Sequence, residues 1–271
     1  MAAAGQVCLE LEGVRVWAAD GSDLLRGVTW QVRAGEHWAL LGPNGAGKST
    51  LLSLAGARRH PSAGTVRVLG ERLGTVDVRE LRRLIGVVDP ALRMPGELTA
   101  EAVVLTGASG SVQPLWDRYG AAERARAREL LELVGCAHLA GRRVDTCSHG
   151  ERGRIRVARA LLPSPRLLLL DEPASGLDLA ARELLLAALD DLAVLKPDLA
   201  TVVVSHHLED LPRRTSHAML VARGEVVASG PADEALTGGT VSACFGLPLR
   251  LQRQAGRWAA VGADEPLTVR G

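Results

Sequence analysis

Residues 42–50 read GPNGAGKST, which fits the phosphate-binding spacing G-x-x-x-x-G-K-[ST]. Gly42, Gly45 and Gly47 let the backbone turn tightly and aim successive N–H groups at one anion. Pro43, Asn44 and Ala46 complete the loop. Lys48 supplies a positive charge for β- and γ-phosphates, and the Ser49 hydroxyl is placed to bind Mg²⁺. Thr50 follows in the opening turn of a helix whose N-terminus favours an anion. A second run, Leu167-Leu168-Leu169-Leu170-Asp171-Glu172-Pro173, sends an apolar strand into two adjacent acids. Phosphoryl transfer relies on positioning and electrostatics. One acid for a metal, Asp171 acting through a water, and one for the attacking water, Glu172, form a sufficient kit.

These residues need a frame of strands. His37-Trp38-Ala39-Leu40-Leu41 reads as a buried strand entering the glycine loop. Val7–Trp17 and Val28–Arg33 alternate apolar and polar residues around Asp20-Gly21-Ser22-Asp23, a strand–turn–strand signature. Gly64–Gly70 and Leu84–Val88 read as two further strands, the second ending at Asp89-Pro90. Between 97 and 146 alternation gives way to helical spacing: in ARARELLELV, Ala127, Leu130, Leu131 and Val134 share one face. That span reads as a mostly helical inserted lobe, looser between Gly107 and Gly120. From 148 the pattern predicts a helix over 152–162, a buried strand over 167–171 and a helix over 179–195. A strand at 201–205, a short helix from 209 and a hairpin turning at Arg223-Gly224 follow. Strands alternating with helices imply an α/β fold with a mainly parallel sheet, whose ligands sit beyond the strand C-termini. The tail from 238 is weakly patterned, and its Phe245, Trp258 and Val261 are expected to pack as an appendage.

Composition narrows the function. The chain has 271 residues, 47% hydrophobic, with a net charge of +1, so no strong overall field argues for nucleic acid or an anionic membrane. Only Lys48 and Lys196 are lysines. The four cysteines, Cys8, Cys136, Cys147 and Cys244, show no C-x-x-C spacing and read as buried thiols of a reducing compartment. The start MAAAGQVCLELEGV lacks the basic and apolar regions of a signal peptide. No run of about 18 apolar residues offers a membrane span. The expected location is cytoplasmic.

In this order the motifs resemble the ATP-binding cassette (ABC) ATPase family, from about residue 7 to 235. Ser148-His149-Gly150-Glu151 is similar to the family signature LSGGQ, with Cys147, His149 and Glu151 replacing leucine, glycine and glutamine. Ser175-Gly176-Leu177-Asp178 matches the D-loop, and Val204-Ser205-His206 the switch histidine. His206-His207 as a metal pair is a rival reading, opposed by the expectation that neighbours at a strand end point to opposite sides. Trp17 stands where the family stacks an aromatic on adenine. A glutamine expected after the strand at 84–88 is missing, with Pro90 near its place and Asp89 as a carboxylate alternative for Mg²⁺.

The resemblance implies a P-loop NTPase core, an N-terminal antiparallel β subdomain and an inserted helical lobe, with an ATPase domain over 7–237 and an appendage over 238–271. ATP would be bound by Trp17, residues 42–50 and the signature residues Ser148, Gly150 and Glu151. Lys48, Glu172 and His206 would act in hydrolysis, with Ser49, Asp171 and Asp89 on Mg²⁺. Two cassettes would share two ATP sites, and a separate integral membrane subunit would receive the work at the inner face of the cell membrane. The alternative is a soluble ATPase acting in regulation or on nucleic acid or ribosomes. The single cassette lacks the charged linker, coiled coils or zinc hook of such relatives, and no nucleic acid partner is expected.

Overall fold

The computed structural model describes residues 5–263. In chain order the strands and helices are β1 (Val7–Trp17), β2 (Asp23–Arg33), β3 (His37–Leu41), α1 (Lys48–Ala55), β4 (Ala63–Val68), β5 (Glu71–Arg72), α2 (Val78–Arg83) and β6 (Ile85–Val88). The lobe contributes α3 (Ala100–Leu105) and α4 (Ala121–Leu133), joined by short 3₁₀ turns. Then come α5 (His149–Leu161), β7 (Leu167–Asp171), α6 (Leu179–Leu195), β8 (Ala200–Ser205), β9 (His217–Ala222) and β10 (Glu225–Pro231). The chain closes with α7 (Ala232–Ala235), α8 (Gly238–Phe245), β11 (Leu249–Gln254) and β12 (Arg257–Gly262). Residues 264–271, the far end of the expected appendage, lie outside the described residues.

Two sheets carry the molecule. β2-β1-β4-β5 is antiparallel. The larger sheet runs β10-β9-β3-β8-β7-β6, parallel from β9 to β6 with β10 antiparallel at one edge. Side chains of a strand alternate between faces, and the core follows that alternation. On β7, Leu167 and Leu169 join one apolar cluster with β1, β2 and α1, while Leu168 and Leu170 join another with α3, α4, α5 and α6. On β3, Trp38 and Leu40 face the first cluster, and Ala39 and Leu41 face a third that holds α8 and Trp258. Burial on both faces explains the uninterrupted apolar runs.

Local capping moves several boundaries. α5 starts at His149, not at 152. The Ser148 hydroxyl accepts from Glu151 N–H at 3.2 Å and the Glu151 carboxylate accepts from Ser148 N–H at 2.7 Å, a reciprocal box that closes the first turn. α4 begins at Ala121 because Glu123 accepts from Gly120 N–H at 2.9 Å. β2 extends back to Asp23, pairing Leu25 with Val16. The helix expected from 209 is a single 3₁₀ turn, Leu208–Asp210, ahead of Pro212, which has no N–H for a longer ladder. Trp258 is buried and Phe245 packs against its cluster, whereas Val261 stays 43% exposed and does not join it.

Leu168→Ala, at a fully buried position, is expected to cost about 2–5 kcal/mol of stability. Leu195→Ala, at a position 63% exposed, should stay within about 0.5 kcal/mol. Urea denaturation of both variants checks the contrast.

Candidate functional site

The parallel register brings four strand ends to one edge. β3 ends at Leu41 beside β8 at Ser205, β7 at Asp171 beside β8 at Val204, and β6 at Val88 beside β7 at Leu170. The glycine loop, the two acids, His206 and Asp89 follow from those ends, so residues far apart in sequence meet above one sheet edge.

The glycine loop is seated from below. A Cβ on Gly42 would lie 2.1 Å from the Val221 carbonyl oxygen, so no side chain fits there. Gly47 carries φ +107 and a Cβ on it would strike Leu25 and Leu24. Gly224 N–H donates to Ala46 O at 3.0 Å, fixing the loop to the β9–β10 turn. Pro43 and Thr50 are half-buried, Asn44, Gly45 and Ser49 are exposed, and Ala46 is buried. Lys48 is buried, its ammonium donating to Gly42 O at 2.7 Å and Pro43 O at 3.0 Å. Burial pushes the Lys48 ammonium below its ordinary value, and the nearby Glu172 and Asp171 charges oppose that shift. α1 has no side-chain cap and no acid in its first turn, leaving its first N–H groups open to an anion.

Ser49, Asp89 and Asp171 line one small cavity of about 90 Å³, together with Arg58. Burial raises the Asp171 carboxyl above its usual range, and the Glu172 and Asp89 charges add to that, against Lys48 and Arg58. Asp89 is already engaged: its carboxylate accepts from Ala91 N–H at 2.9 Å and pairs with the Arg58 guanidinium at 3.3 Å. Among the described residues no group of three His, Cys, Asp or Glu makes a ready-built metal centre. One hydroxyl and two carboxylates are instead the hard-oxygen set that suits Mg²⁺ shared with phosphates. Pro90 lies in a neighbouring pocket with His149, Arg156 and Glu172.

Glu172 has φ +43, in the left-handed region, which a non-glycine residue enters at a cost. Its N–H donates to Val204 O at 3.1 Å, tying it to the end of β8. Across the gap His206 Nδ1 lies 3.1 Å from Glu172 Oε1. The expectation that His206 and His207 diverge is overturned: their ring centroids are 4.1 Å apart at a 45° tilt. Both lie beyond Ser205, where β8 ends, so strand alternation no longer applies.

The signature residues stand elsewhere. Ser148, Gly150 and Glu151 form the N-terminal turn of α5 and do not line the cavity at Ser49. A Cβ on Gly150 would lie 2.5 Å from the Ala181 Cβ, so α5 and α6 demand glycine there. His149 Nε2 comes within 3.6 Å of where a Gly176 Cβ would sit, laying the signature against the D-loop. Trp17 ends β1 at 47% exposed and is no core residue. Sequence reasoning missed Arg58, because its contact to Asp89 crosses 31 residues and no motif marks it.

A glycine loop entering a helix beside paired acids on a parallel sheet defines a P-loop nucleotide-hydrolysing cassette. A family model for ABC transporters matches residues 25–175. An uncharacterized ABC transporter ATP-binding protein of Bacillus subtilis is 37% identical, with 90% of this chain and 92% of that protein covered. A solved cassette from Clostridium perfringens, part of an ABC transporter complex, superposes with TM-score 0.76 at 25% identity, over 88% of this chain and 94% of its own. A dimeric cassette in a post-hydrolysis state with ADP and phosphate gives TM-score 0.70 at 27% identity, over 82% and 98%. The chain belongs to the ABC transporter ATPase family, as an ATP-binding and ATP-hydrolysing subunit. No helix among the described residues is long and apolar enough to cross a membrane.

Gly42→Ala is expected to leave a folded chain with nucleotide affinity lowered about tenfold or more, since displacing the loop by even 1 Å misplaces every phosphate donor. Titration with a fluorescent ATP analogue measures it.

Proposed function

We propose that this chain binds Mg²⁺-ATP on its glycine loop, closes head-to-tail on a second cassette, and opens after hydrolysis to drive a separate membrane subunit. The observation carrying this reading is the convergence of Lys48, the cavity of Ser49, Asp89 and Asp171, and the Glu172–His206 contact at 3.1 Å. Backbone N–H groups of residues 42–50 and the Lys48 ammonium receive the phosphates, and the uncapped N-terminus of α1 adds its dipole. When phosphate arrives, Lys48 exchanges its two loop carbonyls for phosphate oxygens. Ser49, Asp171 and Asp89 would hold Mg²⁺, which when bound neutralises charge on the β- and γ-phosphates.

Glu172 then accepts a hydrogen bond from the attacking water and draws off its proton. His206 fixes the carboxylate orientation through the contact at Oε1 and presents its ring toward the γ-phosphate. The strained backbone at Glu172 is consistent with a side chain placed for chemistry at some cost in stability. Trp17, exposed at the end of β1, offers a face for the adenine ring.

The separation of the signature turn from the Ser49 cavity supports a site completed by a second copy, with Ser148, Gly150 and Glu151 of one cassette meeting ATP on the other. That a similar solved cassette is dimeric supports pairing of two copies. The transporter relatives support a partner in the membrane and a position at its cytoplasmic face.

Glu172→Gln is expected to lower ATP turnover by about 10²–10⁴-fold while keeping nucleotide binding, and to accumulate an ATP-bound dimer. Steady-state turnover with size-exclusion chromatography in ATP reads both, and unchanged turnover would remove Glu172 from its role. Ser148→Arg should leave ATP binding to the single cassette intact but stop turnover; a variant that still hydrolyses would overturn the shared site.

A further inference from the structure

His206 stands on a turn, not on a strand. β8 ends at Ser205, and the residues after it leave the ladder that would fix them, so side-chain bonds must set their place. The first of these close the turn on itself. The Ser205 hydroxyl donates to Asp210 Oδ2 at 3.0 Å and accepts from His207 N–H at 2.9 Å. Asp210 is buried, where a carboxylate needs partners. One of its oxygens takes the Ser205 hydroxyl and the other faces the Arg182 guanidinium of α6 at 3.9 Å.

The second set comes from β12. β11 and β12 form a two-stranded sheet of their own, and a hairpin of that kind is marginal unless it packs on something. Trp258 buries in the cluster that holds Leu208 and Leu211, at the two ends of the turn. Arg257, one residue earlier, donates to Glu209 O at 2.6 Å and to both Glu183 carboxylate oxygens on α6, at 3.1 and 3.4 Å. Its side chain is 17% exposed, so the bond to Glu209 O is a charge-assisted bond made largely out of water. One planar fork thus joins the hairpin, the turn after His206 and the helix that follows the D-loop. Arg253, on the same hairpin, stacks on Trp258 at 4.9 Å and pairs with Asp233 at 2.6 Å instead.

We propose that Arg257 is a positioning residue for hydrolysis. By clamping the Leu208–Asp210 turn to α6, it holds His206 at 3.1 Å from Glu172 Oε1. The hairpin is then a working part of the ATPase. The inference rests on the catalytic reading of Glu172 and His206. Arg257 acts only through the turn, so its loss slows the chemical step and spares ATP binding.

Steady-state kinetics and NMR of the histidine rings test this on the full chain. Arg257→Gln should lower kcat about tenfold or more with KM for ATP within about threefold. It should shift the His206 ring resonances and leave those of His37, at the opposite end of the sheet, in place. Arg253→Gln removes a cation from the same hairpin and should change neither readout. Glu183→Gln, at an exposed position, should lower kcat about threefold or more, and the double variant should be no slower than Arg257→Gln, because both remove one anchor. The proposal is overturned if Arg257→Gln keeps wild-type kcat, if the His206 resonances do not move, or if the Glu183 and Arg257 effects multiply. It is also overturned if Arg253→Gln slows turnover equally, which would mark a merely structural hairpin. Where Arg257→Gln folds poorly, Glu183→Gln decides, and wild-type turnover in that variant overturns the proposal. The catalytic reading is checked separately: a wild type that fails to hydrolyse ATP, or a His206→Ala that hydrolyses normally, rejects that reading, while the His206 resonances still report whether Arg257 positions the ring.

Discussion

Strand β7 is sealed on both faces, with Leu167 through Leu170 fully buried, and no water reaches its peptide groups. Every one must pair with β6 or β8, which locks the register of three strands at once. The first residues able to escape this apolar slab are Asp171 and Glu172. Their position is therefore dictated by the slab, and so are those of Asp89 and His206 on the neighbouring strand ends. The glycine loop depends on the same sheet through β3, whose partner is β8.

Charge within the site is balanced by contact. Lys48 is the only cation of the glycine loop and is buried. Asp89 is a carboxylate beside Pro90, near whose place the resembled family has a neutral amide, and Arg58 pairs with it at 3.3 Å. Burial holds the Asp171 carboxyl above its ordinary range, and the neighbouring Glu172 and Asp89 charges add to that. A multivalent cation or the arriving Lys48–phosphate network changes that balance, so nucleotide binding and the charge state of the edge are linked.

The motifs were readable because their chemistry is local. G-x-x-x-x-G-K-S spans eight consecutive residues, and the two acids terminate a run too apolar to be anything but interior. The serine–glutamate spacing at 148 and 151 contains the capping box that sets the start of α5, although the residue pattern placed that helix three residues late. Gly150 shows the limit of motif reading: the resemblance assigns it to nucleotide, while packing against Ala181 already requires a glycine.

Residue order and type thus settle which groups can bind phosphate, which acids end a buried strand and where helices are capped, because those effects act within a few residues. Folding settles which charges confront each other. Arg58 meets Asp89, Glu172 meets His206 across 34 residues, and His149 lies on the D-loop glycine. Such pairings depend on how sheet edge and lobe pack, and Coulomb interactions between them follow distance in space, which no spacing along the chain encodes.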